Sequence, residues 1–325
     1  MRVRAGLTTL VTVVLATAVA CTSSGQGGGS RSSGATTTTV HHVASSGVLA
    51  PDASPKQVRA RFEQLLGQHA LLAVRLARGE VAKASDFTQA AETSMAANTD
   101  ALRQVVGVAY DDGSADRFKQ LWQGYTTELS AYATGVATQN TAGREEARAA
   151  LLDYCADWGS WLAKASDGRV EAADAERTAQ ARVEQLMGQV DAYAGRDYGR
   201  AYRIERQTYQ RTFAAGTTLA KASATPKEAA ALDAAPEKLR SAFAMLLGEH
   251  MELVVDAQRA TFAGSPEFEA AAAQLNANTE TLAKAMGAIV GPARAAEFQT
   301  AWANHVEGLM AYTAATAGND QAAKT

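Results

Sequence analysis

The sequence predicts an all-α protein, and three observations carry that prediction. Hydrophobic residues make up 47% of the 325-residue chain, but alanine inflates this share and aromatic residues reach only 6%. Alanine occurs with leucine, glutamate, glutamine, arginine and lysine, which favour helices, whereas β-branched runs are scarce beyond the N-terminus. The six prolines lie mostly between helical stretches, and one helical unit recurs along the chain. We therefore expect tandem antiparallel helical bundles, built from three degenerate three-helix repeats with about nine helices.

The N-terminus has the pattern of a bacterial lipoprotein signal. A basic start precedes the apolar stretch Leu7–Ala20, which is too short for a comfortable membrane span and is typical of a signal peptide. The stretch ends in "AVAC", which resembles a lipobox, with Ala18 at the position where leucine is most common. We therefore assign residues 1–20 to a signal peptide, and residues 21–54 to a lipidated cysteine with a flexible Gly/Ser/Thr tether.

The lipobox resemblance implies that Cys21 is the lipid attachment site, with a diacylglyceryl thioether and an acylated amino group. Several acyl chains together anchor a protein stably, because each buried CH₂ contributes about 0.8 kcal/mol. This predicts an extracytoplasmic protein that contacts the membrane through Cys21; the alternative is an ordinary signal peptide with an incidental cysteine. Lipidation would leave Cys155 without a disulfide partner, and we expect Cys155 to be a small buried hydrophobic residue.

Charge and motifs exclude several classes of function. The formal net charge is −3, and removal of Arg2 and Arg4 with the signal peptide leaves −5. No basic patch with interleaved aromatic residues is present, so the sequence argues against nucleic acid as a partner. GxSxG, Walker and strand-associated GxGxxG motifs are absent as well. We therefore expect a protein that is not an enzyme and has no cofactor.

One helical unit occurs three times in the chain. The segment "LLGQH" at Leu65–His69 returns as "LLGEH" at Leu246–His250, and the match extends in both directions. A degenerate copy between them begins with "LLDYC" at Leu151–Cys155 and departs from the others at every marked position. The matched pairs of the first and third copies are Phe62 with Phe243, His69 with His250, Arg78 with Arg259, Asn98 with Asn278, Phe118 with Phe298, Trp122 with Trp302, and Tyr132 with Tyr312.

Each copy is predicted to contain three helices of about 22–28 residues, separated by turn-forming residues. In the third copy the helices run near Glu237–Phe262, Glu267–Val290 and Ala293–Ala317, with "GSPE" and "GP" between them. Glycine is expected to end one helix and proline to open the next. The predicted organisation is helical repeat 1 at 55–139, degenerate repeat 2 at 140–222, a linker at 223–236, repeat 3 at 237–318 and a disordered tail at 319–325.

Each helix carries one polar residue in the middle of its inward seam. In the third copy these residues are His250, Asn278 and His305. Two residues of a helical hairpin lie at the same depth when they are equidistant from the turn, and here the midpoints fall at Gly264 and beside Gly291. We therefore predict that the three side chains meet in one layer, about 20 Å from the turns. The same reasoning predicts layers of His69, Asn98 and Tyr125 in the first copy and of Cys155, Arg182 and Tyr209 in the second.

Two interpretations of these buried polar layers stay open. Histidine and asparagine can hydrogen-bond each other and set the register of the helices. Alternatively, the layer of His250, Asn278 and His305 handles a metal ion or haem. The layer offers only two good transition-metal ligands, whereas zinc sites take three or four protein ligands, and neither an ExxH pair nor HExxH is present. We favour the structural role, with no metal site.

A Tyr/Arg-rich segment surrounds the predicted turn at Gly195. Half of these side chains are expected in the core and half on the rim, and this composition is favoured at interfaces. The residues are Tyr193, Tyr198, Tyr202, Tyr209, Arg196, Arg200, Arg203 and Arg206.

The repeat unit, with its (E/Q)H, NT and W-x-x-(H/Y) marks, is similar to uncharacterised secreted helical-repeat proteins of bacteria over Lys56–Ala317. The resemblance carries no known activity. Together with the anchor and the tether, it leads us to expect a binding or scaffolding module at the cell envelope, with an envelope protein as partner. Metal or haem handling is the alternative function.

Overall fold

The computed structural model describes residues 49–319, and within this range the chain is all-α without a strand. This confirms the predicted fold class. The signal peptide, Cys21, most of the tether and residues 320–325 of the predicted tail lie outside the described residues. The helices are α1 (Pro55–Ala82), α2 (Ser85–Ala109), α3 (Asp112–Ala137), α4 (Thr141–Ala165), α5 (Ala172–Ala194), α6 (Tyr198–Ser223), α7 (Pro226–Ala231), α8 (Ala235–Ala263), α9 (Phe268–Val290) and α10 (Pro292–Ala317).

Nine of these helices are long, and they correspond to the nine that the repeat predicts. The short α7 lies inside the predicted linker, where Thr225 and Glu228 form a capping box that satisfies free backbone N–H groups. The turns of the third copy lie where the sequence places them. Gly264 follows α8 in the left-handed conformation with φ 59°, and Gly291, with φ 85°, separates α9 from α10. Glycine adopts these positive φ values without steric cost.

The first two copies form one body. Helices α1–α6 contribute to a single hydrophobic core, in which α1 packs against α2 and α3 of its own copy and against α5 and α6 of the second. Separate, smaller clusters hold α8–α10 together. This three-helix unit, called the third unit below, docks onto α1 and α6 through α8, and onto α6 through α9. The fold is therefore a six-helix bundle with a three-helix unit attached to it.

Helix α6 lies directly on α1. A Cβ atom at Gly216 would be 2.5 Å from the backbone nitrogen of Glu63 and 2.8 Å from the carbonyl carbon of Phe62, so only glycine fits there. The Thr217 hydroxyl, one residue further on, donates a hydrogen bond of 2.6 Å to the Glu63 carboxylate. The side of α6 that carries Tyr209 therefore reaches both α1 and α8.

The long helices are amphipathic, each with one buried and one exposed side. Between residues 49 and 319, none of them combines the length and the apolar character needed to cross a lipid bilayer.

Candidate functional site

The first polar layer is built around a histidine that accepts a hydrogen bond from a tryptophan. Trp122 of α3 donates through Nε1 to Nδ1 of His69 on α1, at 2.9 Å. A ring nitrogen that accepts carries no proton, so His69 is the neutral tautomer with its proton on Nε2. The Tyr125 ring lies next to this pair, with its centroid 5.6 Å from that of His69.

Asn98 of α2 completes this layer. Its Nδ2 donates to the backbone oxygen of Leu65 at 2.9 Å and to Oε1 of Gln68 at 3.0 Å. The Oδ1 of Asn98 and the Nε2 of His69 have no hydrogen-bond partner of full geometry among the described residues. Asn98 nevertheless acts on His69, because its side chain opposes the lowering of the His69 pKa. The two remaining atoms are one acceptor and one donor, so Asn98 and His69 complement each other.

The third unit repeats this arrangement. Trp302 of α10 donates through Nε1 to Nδ1 of His250 at 3.1 Å, and Asn278 of α9 donates to the Leu246 oxygen at 3.0 Å and to Glu249 Oε2 at 2.7 Å. The ring centroids of His250 and His305 are 6.3 Å apart. The structure therefore brings together the predicted side chains of both layers. The sequence analysis missed the tryptophan donors, although the W-x-x-(H/Y) pattern placed each of them on the same seam.

Both central histidines are held neutral. Burial and, to a smaller extent, the Arg182 cation lower the pKa of His69 to about 3, and Asn98 opposes this shift. Burial and the neighbouring His305 lower the pKa of His250 to about 4, and Asn278 opposes this shift. Desolvation penalises the imidazolium form because burial removes its charge from water.

The donor set of the third unit does not form a complete metal site. His250 has Nδ1 engaged by Trp302, and His305 adds only one further imidazole. Across residues 49–319, no group of three or more His, Cys, Asp or Glu side chains is arranged to hold a metal ion. The geometry of both layers is that of a hydrogen-bonded register between three helices.

The predicted layer of the second copy is wrong at Tyr209. Cys155 and Arg182 are neighbours, since the Arg182 charge acts on the pKa of the Cys155 thiol, which burial raises to about 11. Tyr209 instead donates to the backbone oxygen of Met245 on α8, at 3.2 Å. The physical reason is the position of α6, whose Tyr209 side faces α1 and α8 instead of α4 and α5. Cys155 is a buried free thiol, as expected.

The Tyr/Arg-rich segment at Gly195 is divided as expected: Arg196, Arg200 and Arg203 are exposed, whereas its tyrosines are buried or partly buried, two of them at the joint between the bundle and the third unit. Its Tyr202 and Tyr193 rings lie 4.3 and 5.1 Å from the guanidinium carbon of Arg78, a buried residue of α1. Both tyrosines donate to Glu267 at the start of α9, at 3.1 and 2.9 Å. The interface that the composition indicated is therefore intramolecular.

Two carboxylates share the Arg78 cation within this joint. Arg78 forms a buried ion pair with Glu205 of α6 and another, of 2.9 Å, with Asp256 of α8. Burial and the neighbouring Asp256 raise the pKa of Glu205, and the Arg78 cation opposes this shift. The arrangement links α1, α6 and α8 through one side chain, and the sequence analysis identified Arg78 only as a repeat position.

An apolar surface is left uncovered on the third unit. Five large hydrophobic residues of α8 are exposed, as is Tyr312 of α10, and we call these six residues the bare face: Leu239, Leu247, Met251, Val255, Phe262 and Tyr312. The α8 residues lie along one stripe, spaced four, seven or eight residues apart.

The same positions are covered in the first copy. The residues of α1 that match the α8 stripe are Val58, Leu66, Ala70, Val74 and Val81; the first four are buried and the fifth is partly buried against the main core. Helices α5 and α6 of the second copy pack against α1. Tyr132, the match of Tyr312, is 4% exposed and donates to Asp191 of α5, whereas Tyr312 is 54% exposed. Within residues 49–319, the third unit thus keeps the apolar pattern of the first copy without helices that cover it.

Comparisons with protein families, with curated proteins and with solved structures find no match to this chain. The geometry of the layers, the joint and the bare face is therefore the basis on which a function is proposed.

Proposed function

We propose that this chain is a lipid-anchored, extracytoplasmic scaffolding protein that binds an envelope protein through its bare face. The observation that carries the proposal is the contrast at matched positions: Met251 is 61% exposed, and its counterpart Ala70 is 3% exposed. Contiguous exposed apolar residues on a folded domain mark interaction sites.

The partner we propose is a pair of amphipathic helices. In the first copy the matching stripe belongs to the main core, to which the helical hairpin of α5 and α6 also contributes, so a hairpin of amphipathic helices is the kind of partner that would extend the third unit in the same way. Fully burying one large apolar side chain contributes about 1.5–3 kcal/mol, so six partly exposed residues offer enough area for a specific helix-in-groove contact.

The proposed lipid anchor would place the bundle at the cell envelope, next to the envelope protein that we propose as its partner. The lipobox-like "AVAC" and the following Gly/Ser/Thr-rich segment would hold the bundle beside the outer face of a membrane. Tethers of this composition reach on the order of 30 Å for about 30 residues, so the bundle would meet proteins near the bilayer. Feeding cells an alkyne fatty acid should label the wild type and not Cys21→Ala, and equal labelling of both would exclude the anchor.

Site-specific photo-crosslinking in producing cells tests the binding face. A photoreactive residue at Met251 should give a discrete product with an envelope protein, and mass spectrometry should map the contact to a helical segment. The same residue at Gln299, exposed on α10, is the matched control and should give no such product. Phe262→Glu should abolish the product and Gln299→Glu should leave it. Absence of a product at Met251 would contradict the proposal, as would a product that contains only a second copy of this chain.

A further inference from the structure

A groove of about 870 Å³ runs between α5 and α6 and reaches α4. Its walls include four arginines and two carboxylates: Arg169, Arg177, Arg182, Arg211, Glu171 and Asp174. Two of these arginines are already engaged, since Arg177 forms an ion pair with Asp174 and Arg169 donates to the backbone oxygen of Ala222 at 2.7 Å. Arg182 and Arg211 are left with positive charges that no ion pair within residues 49–319 compensates.

Arg182 occupies an aromatic environment in place of an ionic one. Its guanidinium carbon lies 4.9 Å from the Trp122 ring centroid, 5.3 Å from that of Tyr125 and 5.8 Å from that of Trp158. Its Nη2 donates to the Tyr154 hydroxyl at 2.8 Å, and its Nε is buried without a partner. The Arg182 side chain is only partly buried, and a guanidinium without an ionic partner forms strong charge-assisted hydrogen bonds with an anion that reaches it.

The cation is specific to the second copy. Arg182 stands at the seam position where the other two copies have Asn98 and Asn278, neutral amides that donate to a backbone carbonyl and to a side chain of the first helix of their copy. The fold therefore accommodates a neutral amide at this depth, and the second copy instead carries a charge that no ion pair within residues 49–319 neutralises.

Further polar groups of the groove also lack partners. Oγ1 of Thr212 on α6 and Oε1 of Gln185 on α5 are buried with no hydrogen bond in the described part of the chain. The hydroxyl can donate to an anion and the amide can hold a polar substituent. Apolar side chains complete the walls, among them Trp158, Leu162 and Leu219.

We propose that this groove binds an organic anion, with its carboxylate, sulfonate or phosphate group beside Arg182 and Arg211 and its apolar body against Trp158, Leu162 and Leu219. A groove of this size, mostly apolar with a few convergent polar groups, suits a small organic ligand. The site lies in the second copy and does not depend on the bare face.

Titration calorimetry of the purified full chain with 1-naphthalenesulfonate tests this site. Arg211→Gln should weaken binding about tenfold and Arg182→Gln by more, since each removes a charge-assisted interaction. Arg148→Gln, an exposed arginine of α4 outside the groove, should leave the affinity unchanged. If circular dichroism shows that Arg182→Gln does not fold, the affinity of Arg211→Gln alone tests the proposal.

Two further titrations separate charge from apolar contact. Neutral 1-naphthalenemethanol and inorganic phosphate should each bind at least tenfold more weakly than the sulfonate, because each lacks one of the two features. No binding of the sulfonate by the wild type, equal binding of either analogue, or an unchanged affinity in Arg211→Gln would each overturn the proposal.

Discussion

The first copy and the third unit carry the same histidine layer and differ in what lies against them. His69 and His250 each accept from a tryptophan on the third helix of their copy, and each meets an asparagine of the second helix. Leu66 on α1 is 1% exposed, whereas its match Leu247 on α8 is 42% exposed. The spacing of apolar residues in the sequence therefore determines which side of a helix is apolar, whereas packing against another helix determines whether that side is buried.

The aromatic residues beside the layer show the same contrast. Phe118 stacks on Trp122 at 4.9 Å, and Phe298 stacks on Trp302 at 5.3 Å. In the first copy, α4 adds Trp158, whose ring is 5.4 Å from that of Trp122. No fourth helix of the described chain adds a tryptophan to the Trp302 stack, and Phe298 is only partly buried.

Replacing each of the two matched arginines with methionine should give the largest difference in unfolding free energy between the two copies. Arg78→Met should cost about 3–5 kcal/mol of unfolding free energy, because it leaves Glu205 and Asp256 buried without their cation. Arg259→Met should cost less than about 1 kcal/mol, since Arg259 is partly exposed and its carboxylates are 3.9 and 4.0 Å away. Urea unfolding of both variants measures the difference, and equal costs would contradict the assignment of the joint to Arg78.

Truncating matched leucines should give the next largest difference. Leu66→Ala should cost about 3 kcal/mol because it opens a cavity in the bundle core. Leu247→Ala should cost less than about 1 kcal/mol because much of its side chain is already in water. Denaturant unfolding of the purified chain checks both values. A loss at Leu247 as large as that at Leu66 would show that α8 is covered in solution.

Removing the asparagine of each layer should affect the two copies equally. Asn98→Leu and Asn278→Leu should each cost about 1–3 kcal/mol, because each removes the buried hydrogen bonds from the amide to a leucine carbonyl and to Gln68 or Glu249. The conservative controls Asn98→Gln and Asn278→Gln keep the amide and should cost less. Unfolding free energies again provide the test. A substantial loss of stability in only one of the two leucine variants would mean that the two layers do not contribute equally to stability.

The pH dependence of stability should be similar in the two copies, because both layers hold a neutral histidine. An unfolded histidine takes up a proton below about pH 6.5, whereas His69 and His250 stay neutral in the fold down to about pH 3 and pH 4. Stability should therefore fall as the pH drops from about 6.5 towards these values, by about 1.4 kcal/mol per pH unit for each histidine.

Comparing variants isolates this effect from the titration of carboxylates. His69→Gln and His250→Gln should each reduce the slope of unfolding free energy against pH by about 1.4 kcal/mol per unit between pH 6 and pH 4.5. Gln299→Ala, at an exposed position of α10 without a titratable group, is the control and should leave the slope unchanged. An unchanged slope in both buried-histidine variants would contradict neutral histidines in the layers.

Much of the fold could be predicted from the sequence because helices and their turns are local features. The glycines at 264 and 291 end helices in any context, and equidistance from a turn places His250 level with Asn278 whatever else surrounds them. The layers of the first and third copies followed from this geometry alone.

The grouping of helices could not be predicted in this way, because it depends on contacts between segments far apart in sequence. The seam pattern correctly predicted that Tyr209 is buried. It could not show that the buried side of α6 packs against α1 and α8. The joint at Arg78 was missed for the same reason, since its two carboxylates come from α6 and α8. Leu247 is exposed because no other helix of residues 49–319 covers it, and the sequence of α8 alone does not show whether a covering helix exists.

Hydroxyl-radical footprinting of the purified chain tests most directly whether the third unit carries a bare face. Tyr132 and Tyr312 are the same residue type at matched positions, so their labelling rates can be compared directly. The account predicts fast oxidation of Met251, Phe262 and Tyr312 and strong protection of Tyr132 and Phe62, in line with their burial. Protection of Tyr312 equal to that of Tyr132, with slow oxidation of Met251, would contradict the account.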